Sequence, residues 1–226
     1  MELIITDNDR KMLREFFNNL DGKVHILFFE QAINCPTCPT IKNLLEVVKN
    51  ASGGKVELKS YNLVTDREVA QKYGVTMAPA IVLTDTSEED KGVIFYGIPG
   101  GYEFTTFMEI ISLIAQGKNT LSVSTQRFLE NLDIPLNFLV FVTPSCPHCP
   151  RSASLALRMA LASDKIRTEI IEAMEFQNLS IKYNVMGVPK TVINGKYEVE
   201  GALPEQHFLR LLQKVVESER KAQRNK

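Results

Sequence analysis

Two Cys-x-x-Cys pairs, Cys35-Pro36-Thr37-Cys38 and Cys146-Pro147-His148-Cys149, hold all four cysteines of the chain, and the sequence around them repeats. Before the first pair lies Val24-His25-Ile26-Leu27-Phe28-Phe29, and before the second Leu136-Asn137-Phe138-Leu139-Val140-Phe141-Val142. Both are apolar, rich in β-branched and aromatic residues, and of strand length. Each pair is followed by an amphipathic helical stretch (residues 41–50 and 152–161) and a second strand (residues 55–61 and 165–171). Next come matching phrases, Lys72-Tyr73-Gly74-Val75 and Lys182-Tyr183-Asn184-Val185, and four residues beyond each a proline, Pro79 and Pro189. A repeat of this kind sets the fold before any single residue does. It divides the chain into residues 1–118 and 119–226, each reading helix, strand, helix, strand, helix, strand, strand, helix. The leading helices are expected over 8–20, capped by Asp7, and over 122–132. Asn194-Gly195 marks a type I′ hairpin. The β-α-β crossover makes the first two strands of each half parallel, and the tight final turn makes the last two antiparallel.

The spacing of the cysteines carries chemistry. Disulfide closure needs Cα atoms roughly 4.4–6.8 Å apart, and residues i and i+3 of a helical turn are that close. Placed after a strand and at a helix start, the first cysteine meets free N–H groups that favour a thiolate. Cys35 and Cys146 are therefore the expected attacking sulfurs, and Cys38 and Cys149 the resolving ones. Pro36 and Pro147 suit the first helical position, where a missing N–H is harmless. Pro39 and Pro150 follow as first-turn residues that hold the motif shape. The competing reading is a structural zinc site, but paired zinc motifs usually stand ~15–20 residues apart. Here 107 residues separate Cys38 from Cys146, so no metal is expected.

The order of elements with the proline position resembles the thioredoxin fold used twice: an α/β chain of two tandem thioredoxin-like domains, each a mixed central sheet flanked by helices. In that arrangement Pro79 and Pro189 are cis and face the sulfurs, while Ala78 and Val188 offer backbone groups to an extended partner chain. Across nearly its whole length the chain resembles the protein disulfide oxidoreductases of hyperthermophiles, relatives of protein disulfide isomerase and glutaredoxin. The most specific stretches are Phe141-Val142-Thr143-Pro144-Ser145-Cys146-Pro147-His148-Cys149-Pro150, Tyr183-Asn184-Val185-Met186-Gly187-Val188-Pro189-Lys190 and Phe95-Tyr96-Gly97-Ile98-Pro99. The resemblance implies oxidation, reduction and isomerisation of protein disulfides, with protein thiols and disulfides as substrates. It also implies recharging by a flavin-dependent thioredoxin reductase and no cofactor beyond the redox-active disulfides. The alternative is an electron relay from such a reductase to a peroxidase-like partner. One departure stands out: relatives carry a buried carboxylate six residues before the first cysteine, where this chain has Phe29 and Val140. Glu30 is one place off and expected on the opposite, solvated face. His148 is the expected donor beside Cys146, whereas Thr37 offers the first site only a hydroxyl.

Composition narrows the rest. A formal net charge of −1 and a pI near 6.3 argue against a nucleic-acid binder, which would carry a basic face. The start, Met1-Glu2-Leu3-Ile4-Ile5-Thr6-Asp7, lacks the basic and apolar regions of a signal peptide, and no apolar run approaches the ~20 residues of a membrane span. A cytoplasmic protein is expected. His25 and His207 lack catalytic context, and the basic end (Arg220, Lys221, Arg224, Lys226) reads as a solvated helix terminus.

Overall fold

Thr6 starts the first helix: its side chain and that of Asp9 each accept from the other's backbone N–H, closing a capping box. The cap is thus Thr6, one residue before the expected Asp7. This computed structural model describes residues 6–224; residues 1–5 and Lys226, read above from sequence, lie outside the described residues. The first half runs α1 (Asp7–Asn18), β1 (Val24–Glu30), α2 (Cys38–Ala51), β2 (Val56–Asn62), α3 (Arg67–Lys72), β3 (Ala80–Thr84), β4 (Val93–Tyr96) and α4 (Glu103–Gln116). The second repeats that order with α5 (Val123–Glu130), β5 (Leu136–Val142), α6 (Cys149–Ala162), β6 (Ile166–Glu172), α7 (Gln177–Lys182), β7 (Lys190–Ile193), β8 (Tyr197–Glu200) and α8 (Glu205–Arg224).

The eight strands form one mixed sheet in the order β2-β1-β3-β4-β6-β5-β7-β8. Sequence alone suggests two sheets packed against each other; instead they join edge to edge. The joint is β4 alongside β6, parallel, with Val93 opposite Thr168 and Tyr96 opposite Ile171. Joining this way satisfies two strand edges that would otherwise be open templates for pairing. Only β3 and β7 run against the rest.

Helices cover both faces, so the central strands are buried on both sides and read as unbroken apolar runs. In β1, Val24, Ile26 and Phe28 enter one core, while Leu27 and Phe29 enter the other. In β5, Phe138, Val140 and Val142 alternate with Leu139 and Phe141 in the same way. Both cores pass continuously from one half into the other. Emptying a position such as Phe28, which is fully buried, would cost about 3–5 kcal/mol. The expected hairpin is present, with Asn194 and Gly195 at φ 51° and 67°, both left-handed as a type I′ turn requires.

Candidate active site

Because β1 and β5 point the same way, both cysteine motifs emerge at one edge of the sheet. Four strand spacings separate those two strands, which places the sites roughly 19 Å apart. In each, the chain leaves the strand, turns, and enters a helix whose first residue is the second cysteine. Pro36 and Pro147 therefore lie in the turn, two residues ahead of the helix and not at its first position. Pro39 and Pro150 occupy the first turn instead, where no backbone hydrogen bond is lost.

Each pair is closed as a disulfide, with Cα atoms 5.4 Å apart at Cys35–Cys38 and 5.5 Å at Cys146–Cys149. The two sulfurs of a pair differ in access. Cys149 is fully buried and Cys146 is 8% exposed; Cys38 is buried and Cys35 half-buried. The backbone N–H of Cys149 donates to Cys146 Sγ at 3.1 Å, a contact that would stabilise a thiolate there. In the first site the Cys38 N–H donates to the Cys35 carbonyl at 3.3 Å.

The peptide bonds Ala78-Pro79 and Val188-Pro189 are cis. The Val188 carbonyl oxygen lies 3.7 Å from Cys146 Sγ. Ala78 and Pro79 line, with Pro36 and Thr37, a hollow of about 780 Å³ that continues to Pro144 and Ser145 before the second motif. His148 is exposed and Thr37 half-buried. The two cysteine pairs are too far apart to share one ion, and among the described residues no cluster of three His, Cys, Asp or Glu could hold a metal.

Three carboxylates near these sites escape the sequence pattern. Phe29 and Val140 are core residues, and Glu30 pairs with Lys42 Nζ at 2.6 Å. The buried acids come from elsewhere. Glu103, the first residue of α4, is 2% exposed, and among the described residues neither of its carboxylate oxygens has a hydrogen-bond partner. Burial pushes it up to about 7, with the neighbouring Thr106 hydroxyl acting in the opposite direction. The adjacent Tyr102 N–H donates to the Pro144 carbonyl at 3.0 Å, so this helix start abuts the loop that leads to Cys146. Glu172, at the end of β6, is buried and accepts from the N–H groups of Met174 at 3.3 Å and Glu175 at 2.5 Å; burial raises it despite those bonds. Glu175 accepts from the Thr37 hydroxyl and from the Ile98 N–H, and burial raises it too. The sequence signal for Glu103 is slight, an acid opening an otherwise apolar helix. His25 lies between Glu88 at 2.9 Å and Glu57 at 3.3 Å, far from either motif, and His207 is exposed.

Comparison with known proteins agrees with this geometry. The family described as thioredoxin domain matches residues 136–214. Thioredoxin from Methanocaldococcus jannaschii is 33% identical over 76 residues, covering 33% of this chain and 89% of that protein. An alkyl hydroperoxide reductase component from Escherichia coli is 29% identical over 166 residues, 72% of this chain. The chain spans only 29% of the length of that relative. Among solved structures, a protein disulfide oxidoreductase from Aeropyrum pernix superposes with a TM-score of 0.87 at 27% identity, covering 96% of this chain and 95% of that one.

Proposed function

The chain belongs to the thioredoxin family, and from that premise we propose that it is a protein disulfide oxidoreductase with two redox units, residues 1–118 and 119–226. The observation that carries this reading is the unequal access of the paired sulfurs. In each motif the first cysteine is the more accessible and the second the more buried, which suits attack by the first and resolution by the second.

In the reducing direction, the Cys146 thiolate attacks one sulfur of a client disulfide. A Cys146–client bond forms, and the other client sulfur leaves as a thiolate. Cys149 then loses its proton and attacks Cys146 Sγ, so the intramolecular disulfide forms and the second client thiolate departs. Two electrons pass from the motif to the client, and the reverse sequence oxidises a client dithiol. The Cys149 N–H at Cys146 Sγ lowers the energy of the attacking thiolate. The Val188 carbonyl beside it suits an extended client backbone. Glu103, buried at the helix start whose Tyr102 N–H meets the Pro144 carbonyl two residues before Cys146, is the proposed acceptor of the Cys149 proton. In the first unit Cys35 attacks and Cys38 resolves, with Ala78 and the cis Pro79 in the places of Val188 and Pro189. The four sulfurs carry the electrons, and no other cofactor is needed.

Similarity to the alkyl hydroperoxide reductase component supports a second reading, a relay from a flavin-dependent reductase to a peroxidase-like partner. Refolding of a scrambled disulfide protein separates the two. A folding oxidoreductase rescues native pairing catalytically, whereas a dedicated relay reduces a partner without rescuing clients.

A further inference from the structure

The joint between the two halves runs past the first redox motif and brings a carboxylate from the second half onto it. Glu175 follows β6. One carboxylate oxygen accepts from the hydroxyl of Thr37, inside the first motif; the other accepts from the Ile98 N–H at 3.2 Å. Its own N–H is fixed by Glu172 at 2.5 Å. The neighbouring Gly97 donates its N–H to the Pro79 carbonyl at 3.1 Å, tying the same turn to the proline of the first site. That turn must be bare. At φ 91°, a Cβ on Gly97 would stand 2.6 Å from Glu172 Cβ and 2.8 Å from Glu175 Oε2.

Among the described residues no side chain of the first half hydrogen-bonds to residues 146–149 of the second motif; the first half meets the preceding loop instead, where the Tyr102 N–H donates to the Pro144 carbonyl. Gly201 occupies the equivalent place, with its N–H on the Pro189 carbonyl at 2.8 Å. A Cβ there would meet nothing within 4 Å.

We propose that Glu175, although part of the second half, is a positioning residue that sets the redox potential of Cys35–Cys38 by holding the Thr37 hydroxyl. The inference rests on the thiol–disulfide reading above. Thr37 is the only side-chain donor between the two cysteines of that motif. A hydroxyl given to Glu175 cannot be given to the Cys35 thiolate, and a nearby negative charge disfavours that thiolate further. A less stable thiolate in the reduced form makes the disulfide a weaker oxidant. Both effects push the first site toward reduction of its clients.

The test uses the full chain carrying Cys146→Ser and Cys149→Ser, so that only the first site titrates against glutathione. Glu175→Gln removes the charge but keeps size and an acceptor for Thr37. Glu175→Ala also frees the hydroxyl. The exchange equilibrium should become more oxidising by at least about threefold for Glu175→Gln and about tenfold for Glu175→Ala, the latter equal to ~30 mV for a two-electron couple. The Cys35 thiolate, followed by its ultraviolet absorbance, should form at lower pH in the same order. In a Thr37→Val background the difference between the two substitutions should disappear. Unchanged equilibrium and unchanged thiolate titration in both variants, with exchange itself intact, would overturn the inference. Absence of any exchange in the parent chain would instead overturn the functional reading.

Discussion

The two cysteine motifs stand on the same repeated frame, yet the second half surrounds them differently. The first lies at the joint, where Glu175 takes the Thr37 hydroxyl and Gly97 leaves room for two carboxylates. The second meets the first half at the Pro144 carbonyl, where Tyr102 donates its N–H, and leaves His148 exposed, with Ile181 and Met186 at 76% and 85% exposure beside Val188. The helix starts that close each half differ as well. Glu205 opens α8 and accepts from the Ser122 and Thr125 hydroxyls. Glu103 opens α4 at the equivalent position with no partner among the described residues. Duplication supplies two copies of one chemistry, and packing one copy against the other gives each site its own electrostatics.

The strongest way to break this comparison is to remove the sulfurs one at a time. Cys149→Ser should accumulate a mixed disulfide with a client at the second site, and Cys38→Ser should do so at the first, while Cys146→Ser abolishes turnover at its site. Non-reducing electrophoresis after acid quenching reads the trapped species. Trapping through the buried partner instead would reverse the assigned roles.

Glycine substitutions sharpen the contrast between covered and open sites. Gly97→Ala should destabilise by about 2–4 kcal/mol, because left-handed strain adds to a clash between packed elements. Gly201→Ala, with a φ of 77° and open space, should lose only about 1–2 kcal/mol. Chemical denaturation midpoints decide the order.

Glu103 gives a pH signature. Its folded carboxyl titrates near 7, above the unfolded value near 4.3, so the folded state binds the proton more tightly. Wild-type stability relative to Glu103→Gln should therefore be unchanged below about pH 4 and fall as pH rises toward 7. By pH 8 the Gln variant should be the more stable by about 3–4 kcal/mol. Equal pH profiles would mean that Glu103 is solvated. In the same variant the resolving step should slow at neutral pH if Glu103 takes the Cys149 proton, which single-turnover kinetics would read.

Much of this architecture was legible because the repeat is long and each element obeys a local rule. The apolar runs before each motif form β1 and β5, Asn194-Gly195 forms its turn, and Pro79 and Pro189 fall beside the motifs. Local rules also explain the misreadings. Thr6 outcompetes Asp7 as cap because its side chain closes a reciprocal pair with Asp9. Pro36 and Pro147 look like helix starts, but the turn between the cysteines delays each helix by two residues. The carboxylates were hidden for another reason. Glu175 meets Thr37 across 138 positions of sequence, a contact that exists only because β4 and β6 pair, and no periodicity within either half encodes that pairing.

The central claim is that two copies of one motif have been driven apart in redox character. The most direct measurement is a pair of redox titrations, one on Cys35–Cys38 in a Cys146→Ser/Cys149→Ser chain and one on Cys146–Cys149 in a Cys35→Ser/Cys38→Ser chain. The second site should be the more oxidising by at least ~30 mV, about 1.4 kcal/mol, with His148→Thr closing part of the gap. Coincident potentials, or a first site more oxidising than the second, would contradict the account.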